Sequence, residues 1–243
     1  MTEPLFLAVL EHPQVGQQVV LGGDEGRHAA AVRRLRVGEI ILISDGNGTA
    51  VRGPVIAIDK AGVTIDVAEV VREAESPVKY VVIQALPKGD RAELAVEMLT
   101  ELGIDEIVPW QAERSVVRWA PERVERGLTR WRATAREATK QCRRFRVPTV
   151  SVPLTTAELA QRVSQTALTV VLHESADVHL ATLEVPSTGE IMFIVGPEGG
   201  LSDGEVETFV AAGAVPVLIG DHVLRTSTAG VVALAQLQAL APR

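Results

Sequence analysis

Through the first third of the chain, hydrophobic residues come in short β-type runs, at residues 6–10, 17–21, 39–45, 53–59 and 62–71. Turn signals such as Asp45-Gly46-Asn47-Gly48 separate them. Short apolar runs punctuated by Gly, Asn and Asp read as strands joined by tight turns, so this part is expected to form a small β-barrel. Between the second and third runs, residues 25–38 suit a short helix exposing Arg27, Arg33, Arg34 and Arg36. That segment is either a basic patch or an ordinary surface helix.

After the polar joint Arg72-Glu73-Ala74-Glu75-Ser76-Pro77 the period changes. Strand-like runs at 79–86, 104–109, 167–174, 190–196 and 214–220 now alternate with helical spacing, the signature of an α/β unit with a mainly parallel sheet. A helix is expected over 91–102, with Asp90 and Glu93 as its cap and Gly103 as its stop. Another begins at Ser202, with Glu205 three residues on, and ends at Gly213. The stretch Thr228 to Leu240 is apolar on almost every side, which predicts a buried helix.

One predicted helix has a charged back. From Pro121 onward, Val124, Leu128, Trp131, Ala135, Ala138 and Cys142 recur at spacings of three and four and form one apolar stripe. Arg123 borders the stripe, and Arg126, Arg130, Arg132, Arg136, Lys140, Arg143 and Arg144 cover the flank and back. The pattern fits a solvated surface, or a grip on phosphate, for which the Arg-over-Lys excess is suited.

Charge sharpens that picture. The 243 residues carry a net charge of −7, which taken alone disfavours a polyanionic partner. Yet residues 113–146 hold eleven Lys and Arg, Arg114 among them, against four Glu. That local balance of +7 leaves −14 for the rest of the chain, so an acidic protein with one basic face is expected. A chain of this length, 47% hydrophobic, buries one large core or a large core with a small one. No stretch has the length and character of a signal peptide or membrane span, so a soluble, cytoplasmic protein is expected. Cys142 is the single cysteine and the five histidines show no ligand spacing with it, so neither a disulfide nor a metal site is expected.

The candidate chemistry lies at strand ends. Gly196-Pro197-Glu198-Gly199-Gly200 follows one strand and precedes a helix, a position where glycine-rich turns often hold phosphate. It matches neither the dinucleotide nor the P-loop pattern, and Glu198 would repel a pyrophosphate. Such a loop suits a neutral or cationic ligand, or else is a tight packing turn. The segment from Ile219 and Gly220 to Arg225 closes a second strand end, and Leu172-His173-Glu174 a third. Together they suggest a crevice at the carboxyl edge of the sheet, with Arg225 serving either a ligand or a structural ion pair.

Several ordered motifs carry a resemblance: residues 194–205 (IVGPEGGLSDGE), 218–229 (LIGDHVLRTSTA), 86–103 (LPKGDRAELAVEMLTELG), 113–119 (ERSVVRW) and 130–148 (RWRATAREATKQCRRFRVP). Over nearly the whole chain the sequence resembles the RsmE-type ribosomal RNA small-subunit methyltransferases. The resemblance implies a SPOUT (α/β-knot) unit over 74–243, a mainly parallel sheet with helices on both faces and a deep trefoil knot near its C-terminus. It also implies a PUA-like, RNA-binding β-barrel over 1–73. It further implies a homodimer that uses S-adenosylmethionine to methylate N3 of a uridine in 16S rRNA, the one at nucleotide 1498, within the small ribosomal subunit.

Carried onto this sequence, the family pattern implies cofactor contacts from Leu172, His173, Glu174, Gly196 to Gly200, Ile219, Gly220, Leu224, Arg225 and Thr226, mostly through backbone. Pro197 would stiffen the loop. Arg225 would stabilise charge on the uracil oxygens as the N3 proton leaves, with Glu198 as a base or positioning group. The RNA would be gripped by Arg27, Arg33, Arg34, Arg36, Arg114, Arg130, Arg136, Lys140, Arg143 and Arg144. The chain departs from the pattern at His222, where the family usually has arginine, and at Ser227, where an acidic residue is common. A non-catalytic RNA-binding ribosome-assembly protein would explain the basic faces but not the glycine-lined crevice, and a small-molecule enzyme with a nucleotide cofactor would lack a phosphate fingerprint.

Overall fold

The protein is represented by a computed structural model that describes residues 3–89 and 91–242. Asp90, expected as a helix cap, lies outside the described residues. Contacts divide the chain into two compact units, Met1–Glu75 with Glu137–Val147, and Ser76–Arg136 with Pro148–Arg243.

The first unit is a six-stranded sheet built from β1 (Leu5–Leu7), β2 (Gln18–Leu21), β3 (Ile40–Ser44), β4 (Thr49–Ile58), β5 (Val63–Asp66) and β6 (Glu69–Arg72). The order is β1-β3-β4-β5-β2, with β6 also on β4, and every pairing but β1 with β3 is antiparallel. Inward residues from its strands, including Phe6, Leu21, Ile43, Val51, Val55 and Ile65, fill one apolar core.

The long β4 pairs with β6 through its first half and β5 through its second, and its register with β5 shifts between Val55 and Ala57. Gly53 lies between the halves, where any Cβ would run into the Asp66 carbonyl, so glycine permits the close crossing. For the same reason the predicted strand over 62–71 is two strands: at the break, the Val67 and Ala68 amides donate to the Gln17 and Arg52 carbonyls instead. The helix expected over 25–38 is a single α-turn, α1 (Gly23–Arg27), continued by a π-turn over His28–Val32. It stops at Arg34, whose φ is +53°.

The second unit has six parallel strands in the order β12-β10-β11-β7-β8-β9. They are β7 (Val78–Ala85), β8 (Glu106–Trp110), β9 (Thr149–Val150), β10 (Leu168–Leu172), β11 (Gly189–Val195) and β12 (Val215–Val217). The helices are α2 (Arg91–Glu101), α3 (Pro121–Cys142, whose last turn belongs to the first unit), α4 (Thr156–Val163), α5 (Asp203–Ala211) and α6 (Thr226–Leu240).

Alternate residues of the central strands serve opposite faces. Val81, Ile83, Met192 and Ile194 pack with Leu159 of α4 and Phe209 of α5, and Trp110 meets Phe209 edge-on at 5.4 Å. On the other face α6 approaches β11 closely through Gly230, where a Cβ would sit 3.3 Å from Val195. The stripe of α3 is buried at Leu128, Trp131, Ala135 and Ala138. Two predicted extents differ: β12 is shorter and ends at Val217, and α6 is longer, starting at Thr226 rather than Thr228. Among the described residues no helix is long and apolar enough to cross a membrane, and no cluster of His, Cys, Asp and Glu is arranged to hold a metal ion.

Candidate functional site

The strand order brings the expected strand ends together. β10 lies between β11 and β12, with Val171 opposite Ile194 and Leu172 opposite Val217. Three carboxyl ends therefore open onto one edge: Leu172-His173-Glu174 in the middle, Gly196 to Gly200 on one side, and Ile219 to Thr226 on the other. This adjacent placement follows from topology, since the segments are separated by about twenty residues of chain.

Hydrogen bonds set the shape of the edge. The His173 amide donates to the Val217 carbonyl at 3.1 Å, Leu218 donates to Val178 at 2.8 Å, and Leu180 donates back to Leu218 at 2.8 Å. The Thr226 hydroxyl donates to the Gly196 carbonyl at 3.2 Å, joining the glycine loop to the start of α6. The Gln236 amide donates to the Ile219 carbonyl at 2.9 Å, beyond the end of β12, where Leu218 has already turned to pair with Val178 and Leu180. His173 turns its ring back onto its own loop, with Nδ1 accepting from the Ser175 amide at 3.2 Å.

The glycine loop is a turn in which Gly200 donates to the Pro197 carbonyl at 2.9 Å, with Gly200 at φ +72°. That φ favours glycine. Pro197 is buried while Glu198, Gly199 and Gly200 are exposed. The Glu198 carboxylate accepts from the Lys88 backbone amide at 3.0 Å, so this side chain ties the loop to the segment leaving β7.

A second tie was not legible in the sequence. Ser202 and Glu205 form the expected capping box, but Glu205 is buried and its other oxygen accepts from the Glu113 amide at 2.7 Å. Arg114 then donates to the Leu201 carbonyl at 2.8 Å, and a Cβ on Gly199 would stand 3.2 Å from Arg114. The loop after β8 is thus moored to the start of α5, and Arg114, expected as an RNA contact, has part of its guanidinium engaged there.

Arg225 is the N-cap of α6, and its carbonyl accepts from Thr228 and Ala229. Its side chain is exposed, and no hydrogen bond or ion pair engages its guanidinium among the described residues. Leu224 is half-buried beside it, His222 is exposed, and Ser227 is buried within α6. The loop has no cation from residue 196 to 200, has a carboxylate at its tip, and leaves open space at Gly200 and Gly220. Such an edge fits a ligand that is cationic and free of phosphate, read largely through main-chain groups.

Several of the basic residues are held in ion pairs. Arg130 pairs with Glu93 at 2.6 Å and Arg132 with Glu125 at 3.3 Å. Lys140 is held by Glu25 at 2.9 Å and Glu137 at 2.7 Å, and its side chain is only 12% exposed. Arg27 pairs with Asp24. Arg33, Arg34, Arg36, Arg136 and Arg143 are exposed, and Arg144 is half-buried.

At the opposite, amino edge of the parallel sheet lies an ionic cluster. Glu106 accepts from Arg162 at 2.8 and 3.0 Å, from Lys79 at 2.8 Å and from Ser151 at 2.6 Å, while Arg162 also grips Glu190. Burial pushes the Glu106 carboxyl up, but the hydrogen bonds from Arg162, Lys79 and Ser151 outweigh it and hold the group at about 2. Hydrogen bonding to Glu106 raises Arg162 in turn. Arg162 bridges Glu106 and Glu190 while Lys79 adds to Glu106, so the cluster acts as a clamp between β7, β8, β11 and α4.

Comparison with known proteins adds to this geometry. Residues 74–238 match the family described as RNA methyltransferase domain, and residues 21–68 the one described as RNA methyltransferase PUA domain. The chain is 43% identical to ribosomal RNA small subunit methyltransferase E of Mycobacterium tuberculosis, over 95% of this chain and 90% of that protein. It is 30% identical to the Bacillus subtilis protein of the same name, over 88% and 87%. Among solved structures, a methyltransferase from Legionella pneumophila with the bound cofactor SAM superposes with a TM-score of 0.88 at 28% identity, covering 99% of each chain. Ribosomal RNA small subunit methyltransferase E from Neisseria gonorrhoeae, bound to S-adenosyl methionine, does so with 0.87 at 28% identity, covering 99% and 98%.

Proposed function

The chain belongs to the ribosomal RNA small subunit methyltransferase E family, and on that footing we propose that it methylates N3 of uridine 1498 in 16S rRNA, using S-adenosylmethionine. The observation that carries this reading is the carboxyl edge where β10, β11 and β12 end side by side around a phosphate-free, glycine-lined loop.

Bound there, S-adenosylmethionine supplies a methyl group on a sulfonium, an electrophile that needs no metal to activate it. Leu172 to Glu174, Gly196 to Gly200, Ile219, Gly220 and Leu224 to Thr226 would hold it, chiefly through backbone amides and carbonyls. Glu198, tied to the Lys88 amide, keeps the loop in shape and gives the loop a negative charge that a cationic cofactor would tolerate.

Uridine N3 carries a proton at neutral pH, so its attack on the methyl, which breaks the carbon–sulfur bond and releases the neutral thioether, requires that proton to pass to solvent water. Arg225, exposed at the mouth of α6, faces this demand as the donor that stabilises charge growing on O2 or O4. The exposed arginines position the RNA through phosphate while the crevice selects the base. The reading includes a homodimer, a threaded C-terminal segment and a cytoplasmic location on the small ribosomal subunit.

The test combines calorimetric titration with S-adenosylmethionine and transfer of labelled methyl to small ribosomal subunits lacking the modification. N3-methyluridine at the expected nucleotide, found by mass spectrometry of the rRNA, supports the assignment. Cofactor binding with methylation elsewhere would overturn the target, and no cofactor binding would favour an RNA-binding assembly protein.

A further inference from the structure

The carboxyl edge of the second unit also holds a cavity of about 100 Å³, at the exits of β7 and β8. Leu86, Ala92 and Trp131 behind it are buried. The residues that reach its surface include Gly89, Val117, Trp119, Gly127 and Arg130. Room for about three waters, at ~30 Å³ each, is the scale of one planar ring and not of a whole nucleotide.

The two strand exits that border this cavity are also the ones bonded to the glycine loop and its end. Lys88, between Leu86 and Gly89, gives its amide to Glu198 at 3.0 Å. Arg114, on the same loop as Val117 and Trp119, donates to the Leu201 carbonyl at 2.8 Å. The cavity therefore opens beside the glycine loop, on the side away from β10 and β12. With cofactor contacts expected from the ends of β10, β11 and β12, the β7 and β8 side is left for the methyl acceptor.

Trp119 is fixed from three directions. Its amide donates to the Gln111 side chain at 3.1 Å, its ring meets Trp131 edge-on at 5.4 Å, and the same ring lies against α3 at Gly127. A Cβ at residue 127 would come within 2.5 Å of the indole, so glycine is what leaves room for it. Glycine inside a helix costs about 1 kcal/mol relative to alanine, and α3 carries that cost at the seat of this ring. The side chain is half-buried, and its indole N–H has no acceptor among the described residues. Glu93 and Arg130 pair at 2.6 Å, so the lining has no surplus charge. An aromatic wall, an unengaged donor and a neutral lining fit a flat, uncharged heterocycle that carries a carbonyl oxygen.

We propose that this cavity receives the target uracil, turned out of the RNA stack, and that Trp119 is the ring on which it stacks. The inference rests on the methyl-transfer reading above and gives its substrate base a place. N3 lies on the pairing edge of uracil, so the nucleotide is unpaired before transfer. A fixed ring beside the glycine loop then sets the plane in which N3 approaches the methyl group. Gly127 is a positioning residue, acting through the seat it leaves for Trp119.

The test is steady-state transfer of labelled methyl to small ribosomal subunits lacking the modification. Calorimetry of S-adenosylmethionine and thermal melting accompany it on the same full-length samples. Three variants separate stacking from packing. Trp119→Ala removes the ring, Trp119→Phe keeps a smaller flat one, and Gly127→Ala keeps the indole but takes away its seat.

Trp119→Ala should lower kcat by on the order of tenfold or more, the scale on which stacking of one base is lost. Trp119→Phe should recover most of that loss. Gly127→Ala should lower kcat in the same direction, although alanine is the better helix former. Cofactor affinity should be the same in every variant. Wild-type kcat in Trp119→Ala would overturn the proposal. A raised KM with unchanged kcat would also overturn it, because a neighbouring nucleotide would then occupy Trp119. Equal losses in the alanine and phenylalanine variants, in step with lowered melting temperatures, would reduce Trp119 to packing and overturn it too. A wild type that binds no cofactor and transfers no methyl would instead remove the methyl-transfer reading, and this site with it.

Discussion

The carboxylate of Glu198 accepts a hydrogen bond from the backbone amide of Lys88 at 3.0 Å, across 110 residues of sequence. An acidic side chain inside a glycine-rich turn thereby ties two strand exits of one parallel sheet. Its chemistry as an acceptor, rather than its charge alone, is what the fold uses.

That relationship separates two substitutions. Glu198→Gln keeps an oxygen that accepts from Lys88, whereas Glu198→Ala releases the loop. A hydrogen bond of this kind contributes about 1 kcal/mol. Calorimetry should show S-adenosylmethionine binding weakened about fivefold in the alanine variant and by less in the glutamine variant. Equal losses in both would point to charge instead of the tie.

Arg225 should act on turnover more than on affinity. Arg225→Ala is expected to lower kcat by on the order of a hundredfold at saturating RNA and cofactor, the scale seen when a charge-stabilising donor is removed. Cofactor affinity should change little, because the main-chain cap of α6 survives the substitution. Wild-type turnover in this variant would falsify the assignment.

The mooring of the loop after β8 predicts a stability effect away from the crevice. Glu205→Ala loses both the capping box with Ser202 and the bond to the Glu113 amide, which ties the loop after β8 to the start of α5. A cost of about 2 kcal/mol in chemical denaturation is expected. Ser202→Ala, which removes only the hydroxyl half of the cap, should cost about half as much.

Acid should act through Glu106. Its carboxyl titrates at about 2 in the folded protein against 4.5 ordinarily, so the unfolded chain takes up the proton first as pH falls. The stabilisation is complete above pH 4.5 and is lost as pH falls toward 2. It amounts to on the order of 3 kcal/mol. Glu106→Gln should therefore be less stable than wild type near pH 7, and the gap should narrow near pH 3 in urea titrations. A gap that is constant with pH would mean that packing, not charge, carries the cluster.

Local pattern determined much of this protein. The strand runs, the stripe of α3 and the Ser202–Glu205 cap were legible because each depends on residues within a few positions of one another. The glycine-rich turn stood out for the same reason, with Gly200 at a φ that other residues rarely adopt.

What the tertiary structure decided are relationships between distant residues. Only the strand order β12-β10-β11 sets Leu172, Gly196 and Ile219 along one edge. Only packing shows that Lys140 is enclosed by two carboxylates while Arg33 remains exposed, and that α3 closes on a left-handed Arg143. Periodicity reports which face of an element is apolar. It has no term for which carboxylate, amide or carbonyl another segment brings to that element, and those partners set how the site is held.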